Sequence, residues 1–159
     1  MTEEQTSSIH QAIDLAVQYH QAGDLSKAEG IYQQILQVDP NQPTALNLLG
    51  VIALQVGKND VAVNLITKAI TIKPDYVEAH FNLGNALKNI GALDEAVASY
   101  NKAITIKPDL VEPHYNLGIT LKYLGKLEQA VASYKKAIDI KPDYAEAYFN
   151  LGVVHQELG

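Results

Sequence analysis

A leucine–glycine pair returns through this chain at Leu49-Gly50, Leu83-Gly84, Leu117-Gly118 and Leu151-Gly152, each time 34 residues after the last. Pro40, Pro74, Pro108 and Pro142 keep the same step, and so do Gly23, Gly57, Gly91, Gly125 and Gly159. A period of this length marks an array of supersecondary units, each too small to bury its own apolar face and each covered by its neighbour. Length alone, 159 residues, would suggest one compact domain. The repeat overrules that. The register defines units at 9–42, 43–76, 77–110 and 111–144, with residues 1–8 as a polar lead and 145–159 as the first part of a fifth unit.

Each unit reads as two helices, and no strand signal appears. In 77–110, His80, Leu83, Gly84 and Leu87 follow the i, i+3, i+4, i+7 spacing of one helical face. Leu93, Ala96, Val97, Tyr100, Ala103 and Ile104 do the same for a second helix. Gly91 lies between them, where a helix stop needs positive φ. Pro108 follows the second helix and lacks the N–H to continue one. Asp94 and Glu95 occupy the first turn of the second helix, where carboxylates complement the helix dipole. The small residues Gly84 and Ala96 recur as Gly50 and Ala62 and as Gly118 and Ala130, which predicts a close helix crossing in every unit.

These residues carry a resemblance. The period, the Leu-Gly pair, the closing proline and the blocks Ala28…Tyr32, Ala62…Ile66, Ala96…Tyr100 and Ala130…Tyr134 resemble the tetratricopeptide repeat (TPR) family, whose pattern runs W-x2-L-G-x2-Y, then A-x3-F, then P. The tryptophan position holds Ala12, Leu46, His80, His114 and Tyr148, and the first unit has Ala16 in place of the glycine. The resemblance implies an all-α fold: a right-handed superhelical solenoid of antiparallel helix pairs, about nine helices in this chain, with the first helix of each unit lining a concave face.

Composition removes several classes of function. The chain has no cysteine, so disulfides, thiolate metal sites and a cysteine nucleophile are excluded. A formal net charge of -6 leaves no basic footprint for nucleic acid. MTEEQTSSIH carries acids where a secretory leader needs basic residues, and no apolar run is long enough to cross a membrane. A cytoplasmic protein without a membrane or nucleic-acid partner is therefore expected. No phosphate loop, dinucleotide fingerprint, zinc-protease pattern or nucleophile elbow is present. Ser99 and Ser133 share a repeat position with no histidine, and they read as surface residues that tolerate packing rather than as nucleophiles. His80 and His114 read as part of the helix-pair core; equal positions in adjacent repeats sit too far apart to share one zinc ion. Lys73, Lys107 and Lys141 recur in I-K-P-D, where Asp75, Asp109 and Asp143 offset them, so the segment reads as a solvated connector. No cofactor, metal or catalytic residue is expected.

The positions that face the groove in the family map onto Asn47 in the second unit and onto Glu78, Phe81, Asn82, Asn85 and Lys88 in the third. In the fourth they are Glu112, Tyr115, Asn116, Lys122 and Tyr123, and in the partial unit Phe149 and Asn150. Two ladders at the repeat spacing result: Phe81, Tyr115, Phe149 and Asn82, Asn116, Asn150. An asparagine amide offers a donor and an acceptor together, so a row of them can hold an extended peptide backbone. An aromatic row beside it can take apolar side chains. TPR domains that clamp a C-terminal carboxylate carry lysine at the position held here by Ile13, Asn47, Phe81, Tyr115 and Phe149, which argues against that subtype.

The expected function is thus a protein-interaction module that holds a peptide or partner protein in the groove. The alternative is the substrate-recruiting arm of a transferase, glycosyl or sulfo, with its catalytic domain beyond residue 159; the asparagine row is similar to that of O-GlcNAc transferase-like superhelices. The last segment keeps Tyr148, Leu151, Gly152 and His155 in core register with no second helix after them. The chain is therefore expected to be the N-terminal part of a longer protein, or to associate end to end through that open helix.

Overall fold

A computed structural model describes residues 3–159, and every described element is an α-helix. In chain order these are α1 (Glu3–Gln21), α2 (Leu25–Val38), α3 (Pro43–Gln55), α4 (Asn59–Ile72), α5 (Val77–Asn89), α6 (Leu93–Ile106), α7 (Val111–Tyr123), α8 (Leu127–Ile140) and α9 (Ala145–Leu158). They fall into two compact units: one ends at Pro74, and the other runs Asp75–Gly159. The first holds α1–α4 and the second α5–α9.

Helix ends follow the sequence signals. Pro43 opens α3, and the Gln42 side chain accepts a hydrogen bond from the Ala45 N–H at 2.8 Å, satisfying one of the free donors of the first turn. After α5 the chain turns through Gly91 at φ +80°; its N–H donates to the Lys88 carbonyl and the Ala92 N–H to the Leu87 carbonyl, at 3.1 and 3.0 Å. Two orphan carbonyls at the helix end are thereby satisfied, by a backbone that only glycine adopts without strain. One boundary differs from expectation. Residues 3–8, placed in a polar lead, are the first turns of α1. Buried Ile9 and Ile13 continue the apolar stripe to that end, and the Glu and Gln residues ahead of them are good helix formers. Residues 1 and 2 lie outside the described residues.

Within the second unit, α5 packs on α6, α6 on α7, α7 on α8 and α8 on α9. The crossings are held by fully buried Ala96, Tyr100, Ala103, Ala130, Tyr134 and Ala137. Each tyrosine ring lies close against a glycine of the preceding helix. A Cβ built on Gly84 would stand 2.5 Å from the Tyr100 ring, and one on Gly118 would stand 2.6 Å from Tyr134. Only a bare backbone admits the ring there, and burying it contributes about 1.5–3 kcal/mol. Pairing Leu-Gly with A-x3-Y thus encodes one close contact per repeat. The first unit uses Gly50 against Ile66 in the same way. His80 and His114 are buried, as their place in the helix pair predicts, and the His114 ring nitrogen Nε2 bonds the Pro108 carbonyl at 2.9 Å. Ser99 and Ser133 differ from the surface reading. Both are 8% exposed, because they follow the second-helix stripe, and Ser133 Oγ donates to the Gln129 carbonyl at 3.0 Å.

Candidate functional site

The predicted groove residues of the second unit lie on its odd-numbered helices, α5, α7 and α9. Glu78 and Glu112 are exposed in the first turns of α5 and α7. Lys88 and Lys122 occupy the last turns of the same helices, where cations complement the dipole. Between them run the half-buried Phe81, Asn82, Asn85, Tyr115 and Asn116, with Asn150 on α9. Asn47 departs from this set: it sits on α3 in the first unit and is buried, with 2% of its surface exposed.

Hydrogen bonds link one repeat to the next along this row. Asn116 Nδ2 donates to Asn85 Oδ1 at 2.9 Å, and the Tyr100 hydroxyl donates to the same oxygen at 2.8 Å. Asn150 Nδ2 donates to the Tyr115 hydroxyl at 2.9 Å and to the Glu146 carbonyl at 3.0 Å. The anchored amides are held in one orientation by partners on different helices. Among the described residues, the side-chain oxygens of Asn116 and Asn150 enter no hydrogen bond.

The aromatic ladder is not uniform. Phe81 packs on Tyr100 with ring centroids 6.1 Å apart, and Tyr115 packs on Tyr134 at 6.0 Å and on Tyr144 at 4.9 Å. Phe81 and Tyr115 are thus half-buried over the fully buried rings of Tyr100 and Tyr134. Phe149 is 72% exposed and Tyr123 73% exposed, so each presents a face to solvent. No hydrogen bond, ring contact or ion pair holds Phe149 among the described residues.

The second-helix tyrosines pack beneath this row, and Tyr100 bonds one of its asparagines, a layer that position-by-position reading of the first helices misses. Burial pushes the Tyr100 phenol above its ordinary range, and a hydrogen bond with Thr120 partly offsets this. Tyr134, one repeat on, is raised first by burial and then by Tyr115, Tyr123 and Glu157 nearby. Among the described residues its buried hydroxyl has no hydrogen-bond partner. The cause is in the sequence: where Tyr100 meets Asn85 and Thr120, the equivalent residues for Tyr134 are Ile119 and Val154. The repeat spacing of Tyr100 and Tyr134 was the available signal for this layer.

The charged rim also differs between repeats. Lys122 Nζ pairs with Glu157 Oε1 at 3.2 Å. Lys88, 34 residues earlier, has Tyr123 where Lys122 has Glu157. Lys88 borders an open pocket of about 630 Å³ with Asn89, Leu93, Ile119 and Tyr123.

No helix among the described residues is long and apolar enough to cross a membrane. On α9, Tyr148 is 51% and Leu158 42% exposed, and a Cβ on Gly152 would meet nothing within 4 Å.

Similar proteins agree with this layout. No curated protein matches the chain in sequence. Among solved structures, that of MamA is 26% identical, superimposes with a TM-score of 0.84, and covers 91% of this chain and 84% of its own. A mutant O-GlcNAc transferase of Thermobaculum terrenum is 25% identical with a TM-score of 0.82; the match covers 87% of this chain and 27% of that one. A thermophilic TPR protein of Thermus thermophilus shares the fold, at 22% identity and a TM-score of 0.76, over 95% of this chain and 83% of its own. The family model for the TPR repeat matches residues 53–91, 89–125 and 120–159. With helix pairs closed by a large side chain on a glycine at Gly50, Gly84 and Gly118, 34 residues apart, and with that model covering more than half of its length, the chain belongs to the tetratricopeptide repeat family.

Proposed function

We propose that this chain is a protein-interaction module that holds an extended peptide along α5, α7 and α9. The repeat fold is that of an interaction scaffold, and the finer reading rests on one observation. Asn116 and Asn150 are fixed by donating to Asn85 and Tyr115 of the preceding repeat, and both keep an amide oxygen unspent. A donor–acceptor group already held in place loses little freedom on binding, which favours affinity. Their free oxygens can accept from peptide N–H groups, and the second N–H of Asn116 can donate to a peptide C=O, irrespective of side chain. Phe149 and Tyr123 supply exposed rings for apolar ligand side chains.

The test is a screen of C-amidated peptides on an array, followed by affinity measurement on the double variant Asn82→Ala, Asn116→Ala. A drop of roughly tenfold or more, with helix content unchanged by circular dichroism, supports the reading. Unchanged affinity would move the site off this face.

A second reading is the substrate-recruiting arm of a glycosyl- or sulfotransferase. It is favoured by the match to the O-GlcNAc transferase, of which this chain spans about a quarter. The gene sequence past the codon for Gly159 discriminates: strand–helix alternation there supports the arm, and further repeats then a stop supports the scaffold. Under the scaffold reading, exposed Tyr148, Phe149 and Leu158 of α9 would suit contact with a second copy of the chain. Sedimentation velocity of the chain against Tyr148→Ser, Phe149→Ser tests this, since a monomer at all concentrations rules it out.

A further inference from the structure

Lys88 lies half-buried at the end of α5, and among the described residues no carboxylate pairs with it. Burial alone lowers its pKa from the ordinary lysine value, with no neighbouring charge contributing. A partly desolvated ammonium without a counter-ion is costly, and proteins ordinarily pair such a group. This chain does so one repeat later. Lys122 occupies the same repeat position, and Glu157 of α9 neutralises it at 3.2 Å. The residue 34 before Glu157 is Tyr123, which carries no charge and is 73% exposed. The repeat therefore builds the cation twice and its anion once.

The missing anion has room. Lys88, Asn89 and Leu93 from the α5–α6 side and Ile119 and Tyr123 from α7 enclose a pocket of about 630 Å³ open to solvent. That volume is in the range of small-ligand sites and far exceeds one carboxylate-bearing side chain. Lysine donates from a flexible stem, and Tyr123 on the same pocket carries a hydroxyl that can donate as well, so the lining has two side chains able to donate to an anionic group. Leu93 and Ile119 give the aliphatic part of an acidic side chain an apolar wall.

We propose that the pocket between α5 and α7 is an anion subsite of the groove, in which Lys88 and Tyr123 take the side-chain carboxylate of an aspartate or glutamate in the bound peptide. This deepens the peptide reading above and rests on it. It assigns the ligand a charge: at least one acidic residue, seated at the α5–α7 step, where Glu157 shows the geometry that a carboxylate takes one repeat on.

The test uses the whole chain, labelled with carbon-13 lysine and nitrogen-15, and three probes: the acetylated, amidated peptide Ala-Ala-Glu-Ala-Ala, its Gln counterpart, and inorganic phosphate at matched ionic strength. The Lys88 Cε resonance, assigned by its loss in Lys88→Arg, reports the subsite. The side-chain amides of Asn116 and Asn150 report the groove. A saturable Lys88 shift with the Glu peptide, at least roughly tenfold weaker with the Gln peptide, is expected from loss of a charge-assisted hydrogen bond. Tyr123→Glu, which installs the Lys122–Glu157 arrangement next to Lys88, should abolish the Lys88 response, whereas Tyr123→Gln should retain it. Equal response to the Gln peptide, equal response to phosphate, no saturable response up to the solubility limit of the peptide, or indifference to Tyr123→Glu each overturns the proposal. If the two asparagine amides shift while Lys88 does not, the peptide groove stands and the anion subsite falls. If neither shifts with either peptide, the groove reading itself fails.

Discussion

Tyr100 and Tyr134 are the same residue in successive repeats, yet removing their hydroxyls should have opposite effects. Both rings are fully buried against a glycine, and Phe preserves that packing. The Tyr100 hydroxyl donates to Asn85 Oδ1 at 2.8 Å. Tyr100→Phe loses this bond and the one with Thr120, but Asn85 Oδ1 still accepts from Asn116 and Thr120 Oγ1 still donates to the Asn116 carbonyl, so no orphan is left and the cost stays near about 1 kcal/mol. The Tyr134 hydroxyl is buried with no hydrogen-bond partner among the described residues. An unpaired buried polar group carries its desolvation penalty, about 1–3 kcal/mol, so Tyr134→Phe should stabilise by about 1 kcal/mol or more. The two variants should therefore differ by about 2 kcal/mol, roughly thirtyfold in the folding equilibrium. Urea denaturation followed by circular dichroism reads this as midpoints on opposite sides of wild type with unchanged slope. Both tyrosines lie in the same compact unit, which keeps the comparison internal when an array does not unfold in one step. Ile119→Asn offers a cross-check: it places an amide where Asn85 stands for Tyr100, and in that background Tyr134→Phe should no longer stabilise. Tyr134→Phe destabilising as much as Tyr100→Phe would refute the reasoning, because the hydroxyl would then have a partner in solution.

The glycines give a graded companion series. Gly84→Ala and Gly118→Ala drive a methyl into a tyrosine ring and should each cost about 1–3 kcal/mol, whereas Gly152→Ala meets nothing within 4 Å and should be neutral or gain up to about 1 kcal/mol from helix propensity; thermal melts that rank the three alike would count against the close contact. Alkali should weaken the fold. Burial raises the Tyr100 and Tyr134 phenols, so the protonated form is favoured in the folded chain. That stability is complete below the unfolded phenol value of about 10 and is lost as pH climbs through the raised folded value. Urea midpoints measured upward from pH about 9 should fall, and fall less in Tyr100→Phe.

Most of the fold was legible in the sequence because one physical requirement repeats. Each helix pair needs a bare backbone at one point and a ring or branched chain opposite, so Leu-Gly and A-x3-Y must keep step, and the register follows from either alone. What the period could not give is the fate of polar atoms, because their partners come from a different repeat. Asn47 and Phe149 stand at the same repeat position, yet one is 2% exposed and the other 72%. Ser99 and Ser133 looked like surface positions because serine is usually solvated, but the second-helix stripe is wide enough to bury them.

The deviations from the period carry the rest. Where all repeats agree, a residue serves the stack; where they disagree, a neighbour is left with an unmet need. Asn85 becomes Ile119, and Tyr134 loses its acceptor. Glu157 is preceded by Tyr123, and Lys88 loses its anion. The first unmet need is closed off in the core, can be met by no ligand, and therefore weakens the array. The second opens onto a pocket of about 630 Å³, and there a bound group can supply what the repeat omits. Accessibility separates a packing defect from a binding site, and sequence pattern alone, which sees both as the same kind of substitution, cannot draw that line.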